Sequence, residues 1–231
     1  MIHNYIGIDP SIISTGMVVN GKVFNYCRRS EVFGKAGKYS KWFDLFKDVI
    51  TYRYIELNYL EGYSENEVQK IRLYDSITDM IMSDIIANLQ LGLPIKVAIE
   101  SYSYSSTGDI IDLVTFSTLL RRKLLTLTED IDILAPTTLK LEACKMTYPP
   151  KDVGKKKPKF EYRNNQGISG GRFQKPEMSR ALIENDAFQE PYCRVLRDNQ
   201  TSILFTKTVK KPMEDCSDSM LLYQYLVKKN S

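Results

Sequence analysis

A chain of 231 residues that is 43% hydrophobic and carries a formal net charge of +4 is long enough for one large domain with a sizeable core. No apolar run reaches the ~18 residues of a membrane span, and the N-terminus lacks the charged-then-apolar pattern of a secretory signal. The expectation is a soluble, cytoplasmic protein. His3 is the sole histidine, and Cys27, Cys144, Cys193 and Cys216 form no C-x-x-C pair, which argues against a zinc module or a Ser-His or Cys-His catalytic apparatus.

Tyr5-Ile6-Gly7-Ile8 reads as a strand that ends on the carboxylate of Asp9. Ser11, Ser14, Thr15 and Gly16 then turn the chain into a second strand. Asn20-Gly21, between Met17-Val18-Val19 and Val23-Phe24, predicts a tight hairpin, since both turn positions favour positive φ. Trp42, Phe43, Leu45, Phe46, Val49 and Ile50 have helical spacing. A long helix is expected over about 65–91, with Ile71, Ser76, Ile77, Met80, Ile81, Ile85, Ile86 and Leu89 inward, stopped by Gly92 and Pro94. Ile95-Lys96-Val97-Ala98-Ile99 is a buried strand ending on a second carboxylate, Glu100. A helix over 109–127 offers Ile110, Leu113, Val114, Phe116, Leu120 and Leu124 to a core or a partner subunit. There follow a strand at 131–134, a short helix capped by Thr137 or Thr138 that runs through Cys144, a mobile loop over 149–172, a helix over 175–185, a strand over 202–209 and a last helix over about 214–228. Three antiparallel strands followed by alternating strands and helices give an α/β protein with a mixed sheet.

The charge is uneven. Residues 140–180 hold eleven Lys/Arg against four Asp/Glu, a local +7 that leaves −3 for the remainder. Lys151, Lys155, Lys156, Lys157, Lys159, Arg163 and Arg172 alternate there with Tyr148, Phe160, Tyr162 and Phe173. Cations mixed with aromatic rings suit a polyanion with stackable bases, against the plainer reading of a solvated loop.

Asp215 and Asp218 stand three apart on the last helix and share a face. By themselves they could cap that helix, as Asp9 by itself could serve a turn. The set Asp9, Glu100, Asp215 and Asp218 is different, because clustered carboxylates repel and raise one another's pKa unless cations intervene. Hard oxygen donors without histidine or thiolate suit Mg²⁺ or Mn²⁺, and a pair of such ions serves phosphodiester cleavage.

Five short segments, in order, resemble the RuvC-type Holliday junction resolvases of the RNase H-like superfamily. They are Gly7-Ile8-Asp9-Pro10-Ser11 with Thr15-Gly16, Val97-Ala98-Ile99-Glu100, Pro136-Thr137-Thr138-Leu139-Lys140, Gly171-Arg172-Phe173-Gln174-Lys175-Pro176-Glu177-Met178, and Asp215-Cys216-Ser217-Asp218-Ser219. The resemblance implies a single RNase H-like domain over 1–231, built on a mixed five-stranded sheet flanked by helices. It implies that Asp9, Glu100, Asp215 and Asp218 hold two Mg²⁺ ions, with Mn²⁺ able to substitute. Lys175 is then placed at the scissile phosphate and Lys140 on the DNA backbone. The implied activity is crossover junction endodeoxyribonuclease, a homodimer nicking opposed strands of a four-way junction in recombination and repair. Residues 28–64 and the loop at 149–172 read as insertions, as in an expanded phage or large-virus member. Lys155, Lys156, Lys157, Lys159, Arg163 and Arg172 are expected on DNA, and Tyr102 or Tyr104 stands near the family's wedge aromatic. The alternatives are a packaging or other branched-DNA nuclease of the same fold, or an actin-like phosphotransferase, whose phosphate loop Gly7-x-Asp9 with Thr15-Gly16 also resembles.

Overall fold

The computed structural model describes residues 3–29, 40–56, 62–101, 110–154, 158–204 and 211–231. Strand β1 (Asn4–Asp9) pairs antiparallel with β2 (Ser14–Val19), which pairs antiparallel with β3 (Lys22–Arg28). Asn20 and Gly21 both have positive φ, 48° and 82°, as the hairpin requires. A short helix α1 (Ser40–Leu45) leads to β4 (Ile50–Ile55), parallel to β3. Next come α2 (Tyr63–Asn88), β5 (Ile95–Glu100), α3 (Ile110–Leu124), β6 (Ile131–Leu134) and α4 (Pro136–Thr147). A small hairpin, β7 (Pro150–Asp152) with β8 (Phe160–Tyr162), precedes a 3₁₀ turn at Gly170–Arg172. The described chain ends with α5 (Lys175–Glu184), α6 (Pro191–Asp198), α7 (Gln200–Leu204) and α8 (Met213–Lys229).

The sheet has six strands in the order β4-β3-β2-β1-β5-β6, with β5 parallel to both β1 and β6. The expected three-strand meander and mixed sheet are therefore present. The count of five is corrected, because Ile50–Ile55 adds an edge strand from the segment read as an insertion. The helical spacing at 42–50 was misleading: α1 buries Trp42 and Phe43, but the chain leaves the helix after Leu45 and Ile50 opens β4. A second correction falls at 202–209, where residues 202–204 belong to helix α7 and 205–210 lie outside the described residues.

Side chains alternate across a strand, and two cores follow from that alternation. Ile6, Ile8, Met17, Val19, Val97 and Ile99 face α2 and α3, meeting Tyr74, Ile77, Ile81, Ile85, Phe116, Leu120 and Leu124. Ile71, Ser76 and Ile86, expected inward, are exposed, because Tyr74 and Thr78 define the buried stripe of α2. On the opposite face Val18 and Ala98 meet α4, α5, α6 and α8 through Leu139, Ala143, Leu182, Tyr192, Met220 and Leu222.

Asp84 of α2 ties the edge of the sheet. It accepts hydrogen bonds from Tyr26 on β3 at 2.8 Å and from Arg53 on β4 at 2.7 and 3.0 Å. Burial works against the Asp84 carboxylate, yet Arg53 and Tyr26 outweigh it and hold its pKa below the ordinary value.

Helix α8 is buried on nearly every side over residues 215–222. Its closeness to the sheet is set by two glycines. A Cβ at Gly7 would stand 2.3 Å from the Ser219 carbonyl oxygen and 2.5 Å from the Tyr223 nitrogen. One at Gly16 would stand 2.2 Å from the Asp215 carbonyl oxygen. Neither glycine has positive φ, so both are there for close approach.

Candidate metal centre

Strand alternation decides where the acidic side chains point. Ile6 and Ile8 face α2, so Asp9, one residue on, faces α8; Val97 and Ile99 do likewise and Glu100 follows Ala98 to the α8 side. The parallel pairing of Ile8 with Ile99 sets Asp9 and Glu100 side by side at the ends of adjacent strands. Above them, the close seating of α8 on Gly7 and Gly16 lowers Asp218 onto the same spot. Oxygens of Asp9, Glu100 and Asp218 all lie within 4.8 Å of one another.

These groups floor a cavity of about 360 Å³ whose walls include Asp215, Lys140, Lys175, Lys211 and Glu214. Burial, then the charge of Glu100, drives the Asp9 carboxyl well above its ordinary pKa, and the two carboxyls hydrogen-bond each other. Burial and the neighbouring Asp218 push Glu100 up to about 7. Asp215 and Asp218 are also raised by burial, although Lys211 and Lys175 respectively pull them back. Such a cluster is starved of positive charge.

The donor set fits a hard divalent cation. All the donors are carboxylate oxygens, and Asp218 Oδ1 is buried with no hydrogen-bond partner among the described residues. Asp218 Oδ2 meets Lys175 Nζ in a short contact. Asp215 lines the cavity but stands outside the tight trio; Lys211 Nζ lies 3.3 Å from both of its oxygens, and the Ser14 hydroxyl nearby also holds its pKa back. Neither aspartate caps α8, whose N-cap residue is Pro212.

Lys175 opens α5, where Glu177 accepts the Gln174 amide at 2.7 Å and fixes the first turn. Its ammonium also lies 3.4 Å from Glu214. Burial opposes that charge, but Asp218, Asp9 and Glu214 together raise the pKa of Lys175, so it stays protonated. Lys140 reaches the cavity from α4, whose N-cap is Ala135 followed by Pro136, not either of the expected threonines.

The segment expected to be a mobile loop at 149–172 contains the β7–β8 hairpin and a bridge between Arg163 and Ser169. Lys159 and Arg163 both pair with Glu161, at 2.7 and 2.8 Å, and Arg172 is exposed. Two aromatics of this stretch are corrected: Tyr148 and Phe173 are buried in the core and unavailable to bases, whereas Phe160 is 67% exposed. Tyr102, Tyr104, Lys155, Lys156 and Lys157 lie outside the described residues. Of the apolar residues on α3, Phe116, Leu120 and Leu124 turn into the core and Leu113 lines the cavity.

Sequence reasoning missed Lys211, Glu214 and Ser14. Lys211 stands four residues before Asp215, a spacing that signals an ion pair; Ser14 carried no such signal.

A scan against protein families finds no match, and neither does a comparison with curated proteins. Among solved structures, the chain is similar to Thermus thermophilus RuvC at 12% identity, with a TM-score of 0.40 and coverage of 98% of this chain and 96% of that one. It is similar also to T. thermophilus RuvC in complex with Holliday junction substrate, at 10% identity, TM-score 0.43 and coverage of 99% and 96%. Likeness at this level says nothing about activity. No helix among the described residues is long and apolar enough to cross a membrane.

Proposed function

We propose that the protein is a divalent-metal-dependent endonuclease that acts on branched DNA and resolves four-way junctions as a homodimer by paired nicks. The observation that carries this reading is the convergence of Asp9, Glu100 and Asp218 within 4.8 Å, with one Asp218 oxygen unsatisfied and a charged lysine against the other. Asp9, Glu100 and Asp218 would hold Mg²⁺ or Mn²⁺, with Asp215 the fourth candidate ligand and two ions the proposed number. Bound cations would supply Lewis acidity, lowering the pKa of a water and neutralising charge on phosphoryl oxygens.

The chain's own residues account for the rest. The protonated ammonium of Lys175, poised between Asp218 and Glu214, can swing to a phosphate oxygen and offset the negative charge that grows there. Lys140 and Lys211 border the same cavity and attract a polyanion to an otherwise acidic site. Lys159, Arg163 and Arg172 extend that positive surface along the hairpin side, so binding and chemistry reside on different residues.

The test is cleavage of a synthetic four-way junction beside a linear duplex of the same sequence, with Mg²⁺ or EDTA, for wild type and Asp218→Asn. Paired nicks confined to the junction, and abolished by EDTA and by the substitution, are expected. Equal cutting of linear duplex would point instead to a packaging or general nuclease. Junction binding without any cutting would refute the enzyme assignment.

A further inference from the structure

A second concavity lies beside the carboxylate cavity, and α4 joins the two. Lys140 reaches the first, while Leu141, the next residue, and Lys145, on the following turn, line the second. This groove, about 730 Å³, is closed on its other side by the β7–β8 hairpin and the 3₁₀ turn at Gly170–Arg172.

Its chemistry is specific. Phe160 and Tyr162 are two apart on β8, so both rings project from one face of the hairpin into the groove. Phe160 is 67% exposed, so the face of its ring is open to a flat ligand. Lys145 lies over the Tyr162 ring at 5.9 Å. Glu161 is already neutralised by Lys159 and Arg163, whereas Arg172 makes no ion pair among the described residues.

The glycines differ in a telling way. Gly170 is demanded by packing, since a Cβ there would come 2.6 Å from the Cys144 side chain. Gly171 has nothing within 4 Å of the same point and no positive φ. The fold does not require glycine at 171, and its bare backbone leaves room for a ligand to approach closely. The groove is also built in advance: Asn164 Oδ1 accepts the amides of Gln166 and Ile168 at 3.0 and 2.9 Å, and Lys151 bonds the Asn164 carbonyl at 3.1 Å.

We infer that this groove receives an unpaired nucleotide of the DNA, its base stacked on Phe160 and its phosphate held by Arg172 beside Gly171. The inference rests on the DNA-nuclease reading and adds a binding site for a splayed single strand next to the cutting site. Duplex DNA cannot use the groove in this way, because its bases are paired and stacked on one another.

Binding measured in EDTA separates the site from catalysis. The probes are a short single-stranded DNA carrying 2-aminopurine and a linear duplex of the same sequence, each titrated with wild type, Phe160→Ala, Phe160→Leu and Gly171→Ala. Stacking on one aromatic ring corresponds to roughly tenfold or more in affinity. Phe160→Ala and Phe160→Leu should each weaken single-strand binding by about that factor, abolish the fluorescence quenching, and leave duplex affinity and Tm unchanged. Gly171→Ala should weaken single-strand binding without lowering Tm. Single-strand binding indifferent to Phe160, or weakened no more than duplex binding, would overturn the groove alone. A wild type that binds neither these probes nor a four-way junction would refute the DNA-enzyme reading itself.

Discussion

Replacing Glu100 by glutamine should stabilise the metal-free protein while destroying its response to metal. At a separation of no more than 4.8 Å and an effective dielectric of about 20, each pair of like charges costs at least roughly 3 kcal/mol. The rise of the Glu100 pKa from 4.5 to about 7 leads to the same size, about 3 kcal/mol at pH 8. A neutral amide at position 100 removes that repulsion and can donate a hydrogen bond to an ionised Asp9. The sign follows from linkage. A carboxyl whose pKa is raised on folding costs nothing below its unfolded value, and the cost develops as pH rises from 4.5 through about 7. At about 2–4 °C per kcal/mol for a chain of this length, and with part of the gain lost to imperfect amide packing, Tm should rise by about 4–8 °C in EDTA near pH 8. Near pH 5 the gain should vanish, since wild-type Glu100 is then protonated. Mg²⁺ should raise the wild-type Tm near pH 8 and do little for the variant. Differential scanning fluorimetry over this pH series checks each part. A variant no more stable than wild type near pH 8 in EDTA, or one whose advantage persists near pH 5, refutes the crowded-carboxylate reasoning.

Three further outcomes are expected. Lys175→Met should cut junction cleavage by about two to three orders of magnitude while leaving junction affinity, measured in EDTA, within about twofold. Gly16→Ala drives a methyl into the Asp215 carbonyl at 2.2 Å, so it should cost at least about 1–3 kcal/mol and abolish Mg²⁺-induced stabilisation; an unchanged Tm would show that α8 can retreat. Asp84→Asn breaks the ties to Arg53 and Tyr26 and should lower stability by about 1.5–3 kcal/mol in urea unfolding at neutral pH. Because the Asp84 pKa is depressed, its contribution is present above the unfolded value and fades as pH falls through the folded one. The gap between variant and wild type should therefore close in acid.

The carboxylates were legible because each of the first two ends an apolar alternation, and alternation fixes which face receives the next side chain. Asn20-Gly21 was legible for a similarly local reason. Other features depend on contacts that periodicity does not encode. Val49 and Ile50 extend the spacing of Trp42, Phe43 and Phe46 so well that β4 was hidden, and the charge within it, Arg53, makes sense only once Asp84 is opposite. At 203–205 the apolar run Ile203-Leu204-Phe205 is too short to separate strand from helix. Tyr148 and Phe173 looked like partners for bases because they stand among cations, but they pack edge to face against each other inside the core, 6.3 Å between centroids. The pairing of Lys211 with Asp215 distinguishes that aspartate from Asp218 in a way the shared helical face did not reveal.

The seating of α8 over Gly7 and Gly16 has a consequence for biosynthesis. Asp218 and the helix that carries it leave the ribosome more than 200 residues after Asp9. Until α8 docks, the sheet lacks the cover for one face and the carboxylate trio lacks its third member. A nascent chain, or a fragment ending before Met213, therefore holds no complete carboxylate trio, and whatever depends on that trio arises only in molecules whose synthesis has passed that helix.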